Sequence, residues 1–319
     1  MNKAREQLAT IAHRTPILRS ATTDALAGKH VYFKMENQQK TGAFKFRGAS
    51  FKLLQLPEEK LAKGVIAASA GNHAQGVANA ATRLNTQATI FMPEHTPAAK
   101  VEATRTYGAE VVLTGESFQE AYDASMQRQW QTGAAYIHPF DDYEIMAGQG
   151  TVAAEMLQQE DRLDTLIVPI GGGGLISGIA ATAKYMNPHI KVIGVQASGA
   201  AAMYESYYGH RLKRLEQVST IAEGIAVKKP GDLTWPLINQ YVDDIVTVND
   251  TDIASAVVYM LERNKTLLEG AGAASLAALF AHGSRIQSEH CGMIVSGGNM
   301  DISTLPMIQQ LASSHHRSA

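Results

Sequence analysis

The chain has 319 residues, 45% of them hydrophobic and 18% charged, a globular composition too apolar for a disordered chain and long enough for two ordinary domains. Lys and Arg number 28 against 30 Asp and Glu, a net charge of -2, so no electrostatic excess favours nucleic acid or an anionic membrane as partner. The one cysteine, Cys291, excludes intrachain disulfides and cysteine-based zinc clusters and fits a reducing cytoplasm.

In chain order, the N-terminus MNKAREQLATIAHRTPIL has charges and a proline interrupting every apolar stretch, unlike a signal peptide. KTGAFKFRGA (Lys40–Ala49) comes next. Lys45 lies between two phenylalanines, with Lys40 and Arg47 adding positive charge, and an amine so surrounded is held more readily in its neutral, nucleophilic form. An ordinary solvated lysine is the competing reading. Short β-branched runs then alternate with Ala-rich helical stretches. Strands are predicted at Lys63–Ala68, Ala88–Met92, Glu110–Leu113, Thr165–Ile170, Lys191–Val195, Asp244–Val248 and Gly292–Val295. Helices are predicted at Gly76–Leu84, Gly150–Gln158, Leu175–Tyr185, Thr251–Asn264 and Ala271–Ala281. The alternation implies α/β architecture with open parallel sheets covered on both faces.

Small or polar loops follow several strands: SAG at Ser69–Gly71, GGGG at Gly171–Gly174 and SGGN at Ser296–Asn299. In an open parallel sheet such loops converge beyond the carboxyl ends of the strands, where ligands sit. A glycine run between a strand and a helix presents backbone N–H groups and a positive dipole end to an anion such as phosphate; a flexible surface loop is the bland alternative. The run does not satisfy G-x-G-x-x-G, since Ser177 holds the third place, and no Walker lysine, G-x-S-x-G or H-E-x-x-H occurs. SAGNHAQG (Ser69–Gly76) offers N–H groups, a hydroxyl and an amide to a carboxylate beside a ring hydroxyl, or else is an N-cap turn with Asn72 as the cap. The uncharged window Thr165–Ala183 contains Pro169 and four glycines, so it reads as strand, loop and helix rather than a membrane span. The tail from Ser313 looks disordered, and His315 and His316 are not read as ligands.

Six segments, Lys40–Ala49, Ser69–Gly76, Ala147–Thr151 (AGQGT), Gly171–Gly174, Ile221–Val227 (IAEGIAV) and Ser296–Asn299, stand in the order and rough spacing of the pyridoxal-phosphate enzymes of the tryptophan synthase β-like fold (fold type II). From about Thr15 to Asp301 the chain resembles the threonine dehydratase and serine racemase family. The resemblance implies two α/β domains with the cofactor between them: a large one from residues 1–54 and 142–319, and a small one, 55–141, inserted in it. It implies that Lys45 holds pyridoxal 5'-phosphate covalently and removes the α-proton, with Phe44 beside the ring. Asn72 would bond the ring hydroxyl, Gly171, Gly172, Gly173, Gly174 and Leu175 would cradle the phosphate, Gly224 would approach through its backbone and Ser296 would face the pyridine nitrogen. Ser69, Ala70, Gly71, Asn72 and His73 would line the substrate carboxylate pocket, and Glu223 would order the wall of the site.

Similar serine racemases carry a second serine, SSGN, as the proton donor opposite the lysine. Here that position is Ala70, whose methyl cannot donate a proton, so two-base racemisation should be lost and elimination kept. Where those racemases place carboxylates for a divalent cation, Gln196, Ala200 and Ala202 stand here, so no divalent metal site is expected, a monovalent cation on backbone carbonyls being the alternative left open. Both departures point to a threonine dehydratase acting on L-threonine and L-serine. The short segment after Asp301 leads to an expectation of activity insensitive to isoleucine. The resemblance also implies a homodimer, while charge and cysteine usage lead to an expectation of a cytoplasmic protein with no nucleic acid or membrane partner. Serine racemase, hydroxyaspartate ammonia-lyase and a non-catalytic ligand-binding protein of the same fold are the rivals.

Overall fold

The computed structural model describes residues 2–315. Its strands are β1 (Ile17–Leu18), β2 (His30–Met35), β3 (Val65–Ala68), β4 (Ala88–Met92), β5 (Glu110–Leu113), β6 (Ala135–Tyr136), β7 (Thr165–Pro169), β8 (Lys191–Ala197), β9 (Asp244–Val248) and β10 (His290–Val295). They form a six-stranded sheet in the order β1-β2-β10-β7-β8-β9 and a four-stranded sheet in the order β5-β4-β3-β6. Every pairing is parallel except β1 with β2. The larger sheet is therefore parallel, as expected, apart from one antiparallel edge strand. The stretch from Leu18 to His30 is shorter than the roughly one dozen residues or more that a parallel crossover takes.

Strands β4, β5 and β9 coincide with the sequence expectation; β2 escaped it. The run HVYFKM contains Lys34, which breaks the apolar pattern yet is 0% exposed. Its amine is held by Glu155 at 2.8 Å, the Thr15 carbonyl at 2.8 Å and Gln159 at 2.9 Å, so the charge is buried with its partners.

Helices cover both faces of each sheet. On one face of the larger sheet Val31, Phe33, Ile167, Val195 and Met293 pack against helices Asp250–Asn264 and Gly270–His282; on the other, Tyr32, Leu166, Val168, Val192 and Ile294 pack against Tyr143–Gln159 and Gly174–Met186. The period-2 alternation of inward side chains along each strand produces the two layers. In the smaller sheet Val65, Ala67 and Ile90 meet helices Lys45–Leu54 and Asn72–Arg83, while Ile66, Ala68 and Phe91 meet Phe118–Thr132. Residues 313–315, expected to be disordered, continue helix Leu305–His315, and the rest of the tail lies outside the described residues.

Between β7 and β10 the strand order reverses: β7 leads outward to β8 and β9, whereas β10 returns to the other side of β7. A crevice at such a switch point, beyond the carboxyl ends of the strands, is where this architecture holds ligands. The loops after β7 and β10, Gly171–Gly174 and Ser296–Asn299, both open there.

Candidate active site

Helix Lys45–Leu54 begins with the lysine itself, and Phe44 is its N-cap residue. The helix is seated from behind by helix Tyr143–Gln159. A Cβ on Gly148 would fall 2.7 Å from the Gly48 Cα, so the two helices touch backbone to backbone. Gln149 Oε1 accepts the Gly48 N–H at 3.1 Å. The AGQGT segment thus positions the helix that carries Lys45.

Arg47 takes no part in the electrostatics first assigned to it. It is 0% exposed; its Nε and Nη2 donate to Glu36 at 2.7 and 2.8 Å, and its Nη1 and Nη2 to Glu155 at 2.6 and 2.8 Å. Two cations, Lys34 and Arg47, are matched by two carboxylates, so this correction has a simple cause: the Arg47 charge is already neutralised. The Lys45 amine is instead lowered to about 8 by enclosure, against a smaller opposing pull from Glu269. Its Nζ donates to the Pro139 carbonyl at 2.7 Å and stands 5.4 Å from the centre of the Phe44 ring.

Around the amine the predicted loops converge. Phe44 N–H donates to the Ser296 carbonyl at 3.1 Å, Ala43 pairs with Gly297, and Gly298 N–H donates to the Gly42 carbonyl at 2.9 Å, so SGGN runs alongside TGAF. Ser296 is buried and its Oγ donates to the Ala271 carbonyl at 3.2 Å. Gly76 brings helix Asn72–Arg83 against Lys45; a Cβ there would stand 3.2 Å from the Lys45 carbonyl.

Gly71, rather than Asn72, is the N-cap of helix Asn72–Arg83, so the capping alternative for Asn72 does not hold. Its side chain is free of its own helix and is held in a chain of amides. Asn299 Nδ2 donates both to the Thr41 carbonyl at 2.7 Å and to Asn72 Oδ1 at 2.8 Å, and Asn72 Nδ2 donates to Glu269 Oε1 at 2.7 Å. Ser69 Oγ accepts the Gly71 N–H at 3.3 Å, folding the SAG turn, and Ala70 is partly buried beside it. His73 is buried; its Nε2–H donates to the Ile137 carbonyl at 2.8 Å, and burial beside the Lys45 charge pushes it down to about 3, so the ring is neutral.

The glycine turn follows β7 directly. Among the described residues, the N–H groups of Gly171, Gly172 and Gly173 donate to no other residue, and Gly174 begins helix Gly174–Met186, where further N–H groups are unspent by helix geometry. Gly173 has φ +103, and a Cβ on Gly172 would lie 2.3 Å from the Phe140 ring. Leu175 is 6% exposed. IAEGIAV lies against this turn: a Cβ on Gly171 would stand 3.2 Å from the Ile225 Cα, and the Gly224 carbonyl is 3.5 Å from the same point. Asp141 receives the N–H groups of Asp232, Leu233 and Thr234 at 3.0, 2.8 and 3.1 Å, and Thr234 Oγ1 donates to the Gly172 carbonyl at 2.7 Å, which fixes the turn from below. Glu223 is exposed and accepts from Lys100 at 2.6 Å. Gln196 spends its amide on the Ile170 carbonyl and the Tyr204 N–H.

Sequence reasoning did not single out Glu269, Pro139 or Phe140, nor the Asn299 side chain. Glu269 had a faint signal: it is the lone acid between Leu267-Leu268 and the uncharged helix Gly270–His282. A groove of about 600 Å³ lined by Arg5, Arg14, Thr151 and Glu155 is bordered by none of the converging loops.

The family described as pyridoxal-phosphate dependent enzymes matches residues 8–297. Over 308 residues the chain is 45% identical to an L-threonine ammonia-lyase of Thermotoga maritima and 47% identical to one of Geobacter sulfurreducens, each alignment covering 97% of this chain and 77% of the relative. Among solved structures, maize serine racemase superposes with a TM-score of 0.93 at 40% identity, covering 99% of this chain and 97% of that one.

Proposed function

This chain belongs to the pyridoxal-phosphate-dependent enzymes, and from that membership we propose that it is a threonine ammonia-lyase, converting L-threonine to 2-oxobutanoate and ammonia and L-serine to pyruvate and ammonia. The reading is carried by one juxtaposition: the enclosed Lys45 amine, lowered to about 8, shares the switch-point crevice with a turn of unspent N–H groups.

The residues present fit the cofactor. The Gly171–Gly173 donors lack partners, Gly172 and Gly174 leave no room for a side chain, and Leu175 follows on the first turn of the helix; a phosphate is the guest such a turn accommodates. Phe44 would flank the ring, Asn72 would bond its hydroxyl, Gly224 would approach through its backbone and Ser296 would meet its nitrogen. When bound, the cofactor supplies an electron sink for negative charge developing at the substrate Cα.

The remaining work belongs to the chain. Neutral Lys45 Nζ accepts the α-proton, and its enclosure keeps a usable fraction unprotonated near neutral pH. Neutral His73 adds no positive charge beside it. Ser69, Ala70, Gly71, Asn72 and His73 receive the substrate carboxylate at the start of helix Asn72–Arg83. Ala70 offers no proton, which favours elimination over racemisation.

Residues 55–141 contain all four strands of the smaller sheet, which supports their assignment as a small domain inserted between 1–54 and 142–319. Bridging contacts such as Lys100–Glu223 would hold the two together over the substrate. No helix among the described residues is long and apolar enough to cross a membrane. A homodimer working in the cytoplasm completes the proposal; sedimentation and cell fractionation check these parts.

Purified protein given L-threonine should release 2-oxobutanoate and ammonia in equal amounts, and Lys45→Ala should abolish both. Ammonia release that survives Lys45→Ala would overturn the assignment. Serine racemase is the second reading, favoured by the maize structure. D-serine formed from L-serine as fast as pyruvate would establish it instead, whereas Ala70→Ser is expected to be needed before D-serine accumulates.

A further inference from the structure

Glu269 has no part in the chemistry above, yet its carboxyl group occupies a built position. It is the N-cap residue of helix Gly270–His282, but its side chain makes no cap bond and turns away from that helix to Asn72. A Cβ on Gly297 would stand 2.3 Å from its Oε1, and one on Gly224 would stand 3.6 Å away. Gly297 therefore leaves the space that this carboxylate fills, and Gly224 lies in contact range of it.

The amide chain gives the contact a direction. Asn299 Nδ2 spends both hydrogens, on Thr41 and on Asn72 Oδ1, so Asn72 can only donate toward Glu269. One Asn72 N–H is then taken and the second has no partner among the described residues. We propose that Glu269 is a positioning residue: by accepting one N–H of Asn72 it aims the other at the ring-hydroxyl edge of bound pyridoxal phosphate, and its charge sets how firmly that amide is held. This rests on the cofactor role of Asn72 and is independent of which amino acid is consumed.

The groups facing the carboxyl come from three further elements. Burial, with Glu223 of turn Glu223–Ile225, raises Glu269 to about 7; Asn72, Lys100 of helix Ala98–Thr106 and Lys45 oppose the rise. The carboxyl is thus charged above neutrality and protonated below it, and a carboxylate accepts a more strongly bound N–H than a carboxylic acid does. The Asn72 bond should favour the ionised ring hydroxyl at high pH and release it at low pH.

The test is the absorbance of the cofactor-loaded protein between pH 5.5 and 9, together with the affinity of the apo-protein for pyridoxal phosphate by fluorescence titration. The wild type should show a spectral inflection near neutrality that Glu269→Gln removes, and Glu269→Gln should weaken cofactor binding about tenfold, the scale of one hydrogen bond to a charged group. In an Asn72→Ala background Glu269→Gln should add nothing, and Glu269→Asp should restore part of the inflection. An inflection unchanged in Glu269→Gln, or a Glu269→Gln effect that persists undiminished beside Asn72→Ala, would overturn the proposal. If wild-type apo-protein binds no pyridoxal phosphate, the cofactor reading itself fails, a result distinct from either of these.

Discussion

The lowered Lys45 amine makes a prediction that needs no substrate. An amine that titrates at about 8 is roughly 9% neutral at pH 7 and roughly 91% neutral at pH 9, whereas one at the ordinary lysine value is on the order of 0.03% and 3% neutral. The neutral fraction of Lys45 is therefore on the order of 300 times that of a solvated lysine at pH 7, and its labelling rate should gain only about tenfold by pH 9 and level off above that. Trace labelling of the apo-protein with an uncharged acylating reagent, quantified peptide by peptide by mass spectrometry, gives the rate at Lys45 beside internal controls such as exposed Lys3 and Lys60. Enclosure is the cause, so Glu269→Gln, which removes the one carboxylate opposing the shift, should move the plateau to lower pH. A Lys45 rate that keeps rising tenfold per pH unit to pH 10, in parallel with the controls, would refute the reasoning.

Glu36→Gln leaves fully buried Arg47 with only one charged partner, Glu155, and should cost about 3–5 kcal/mol in urea unfolding; a loss below about 1 kcal/mol would mean that the network is not needed to seat the Lys45 helix. His73, held at about 3 in the fold against an ordinary histidine value of 6.5, takes up its proton in the unfolded chain first. Its contribution to stability is complete above about 6.5 and falls as pH drops toward 3, by about 5 kcal/mol at most. His73→Asn should flatten the pH dependence of unfolding in that interval, and an unchanged slope would disprove the sign. Gly172→Ala puts a methyl 2.3 Å from the Phe140 ring. It should weaken cofactor binding at least about tenfold, the scale of an overpacked core site, with binding recovered when Phe140→Ala makes room; calorimetric titration measures both.

Much of this site was legible because its parts are local. Gly171–Gly174 follow a β-branched run and precede an amphipathic stretch, so strand, turn and helix are implied by nearest neighbours, and the anion-binding character comes with the backbone. The boundaries of β4, β5 and β9 were equally readable, since each is a short run rich in β-branched or apolar residues, although only β4 is buried throughout and edge strand β5 is partly exposed. Lys45 drew attention through its aromatic neighbours, and of the two causes first assigned to its lowered pKa the apolar enclosure holds while the neighbouring positive charge does not. Arg47 is two residues away in sequence, but its charge is cancelled by Glu36 and Glu155, and Glu155 reaches it from a helix more than a hundred positions later. Strand β2 was hidden for the same reason: a lysine in an apolar run looks solvated until its carboxylate partner is known.

Residue types and local backbone periodicity were determined by the sequence alone: two kinds of parallel-sheet loop, a reactive amine and an alanine where a proton donor would be required. Only the tertiary structure decided which charges cancel, which amide hydrogens remain unspent and where an isolated acid such as Glu269 ends up. Those outcomes depend on enclosure and on partners brought together by the return of β10 beside β7. Desolvation and hydrogen-bond direction are properties of a packed volume, and no window along the chain contains them.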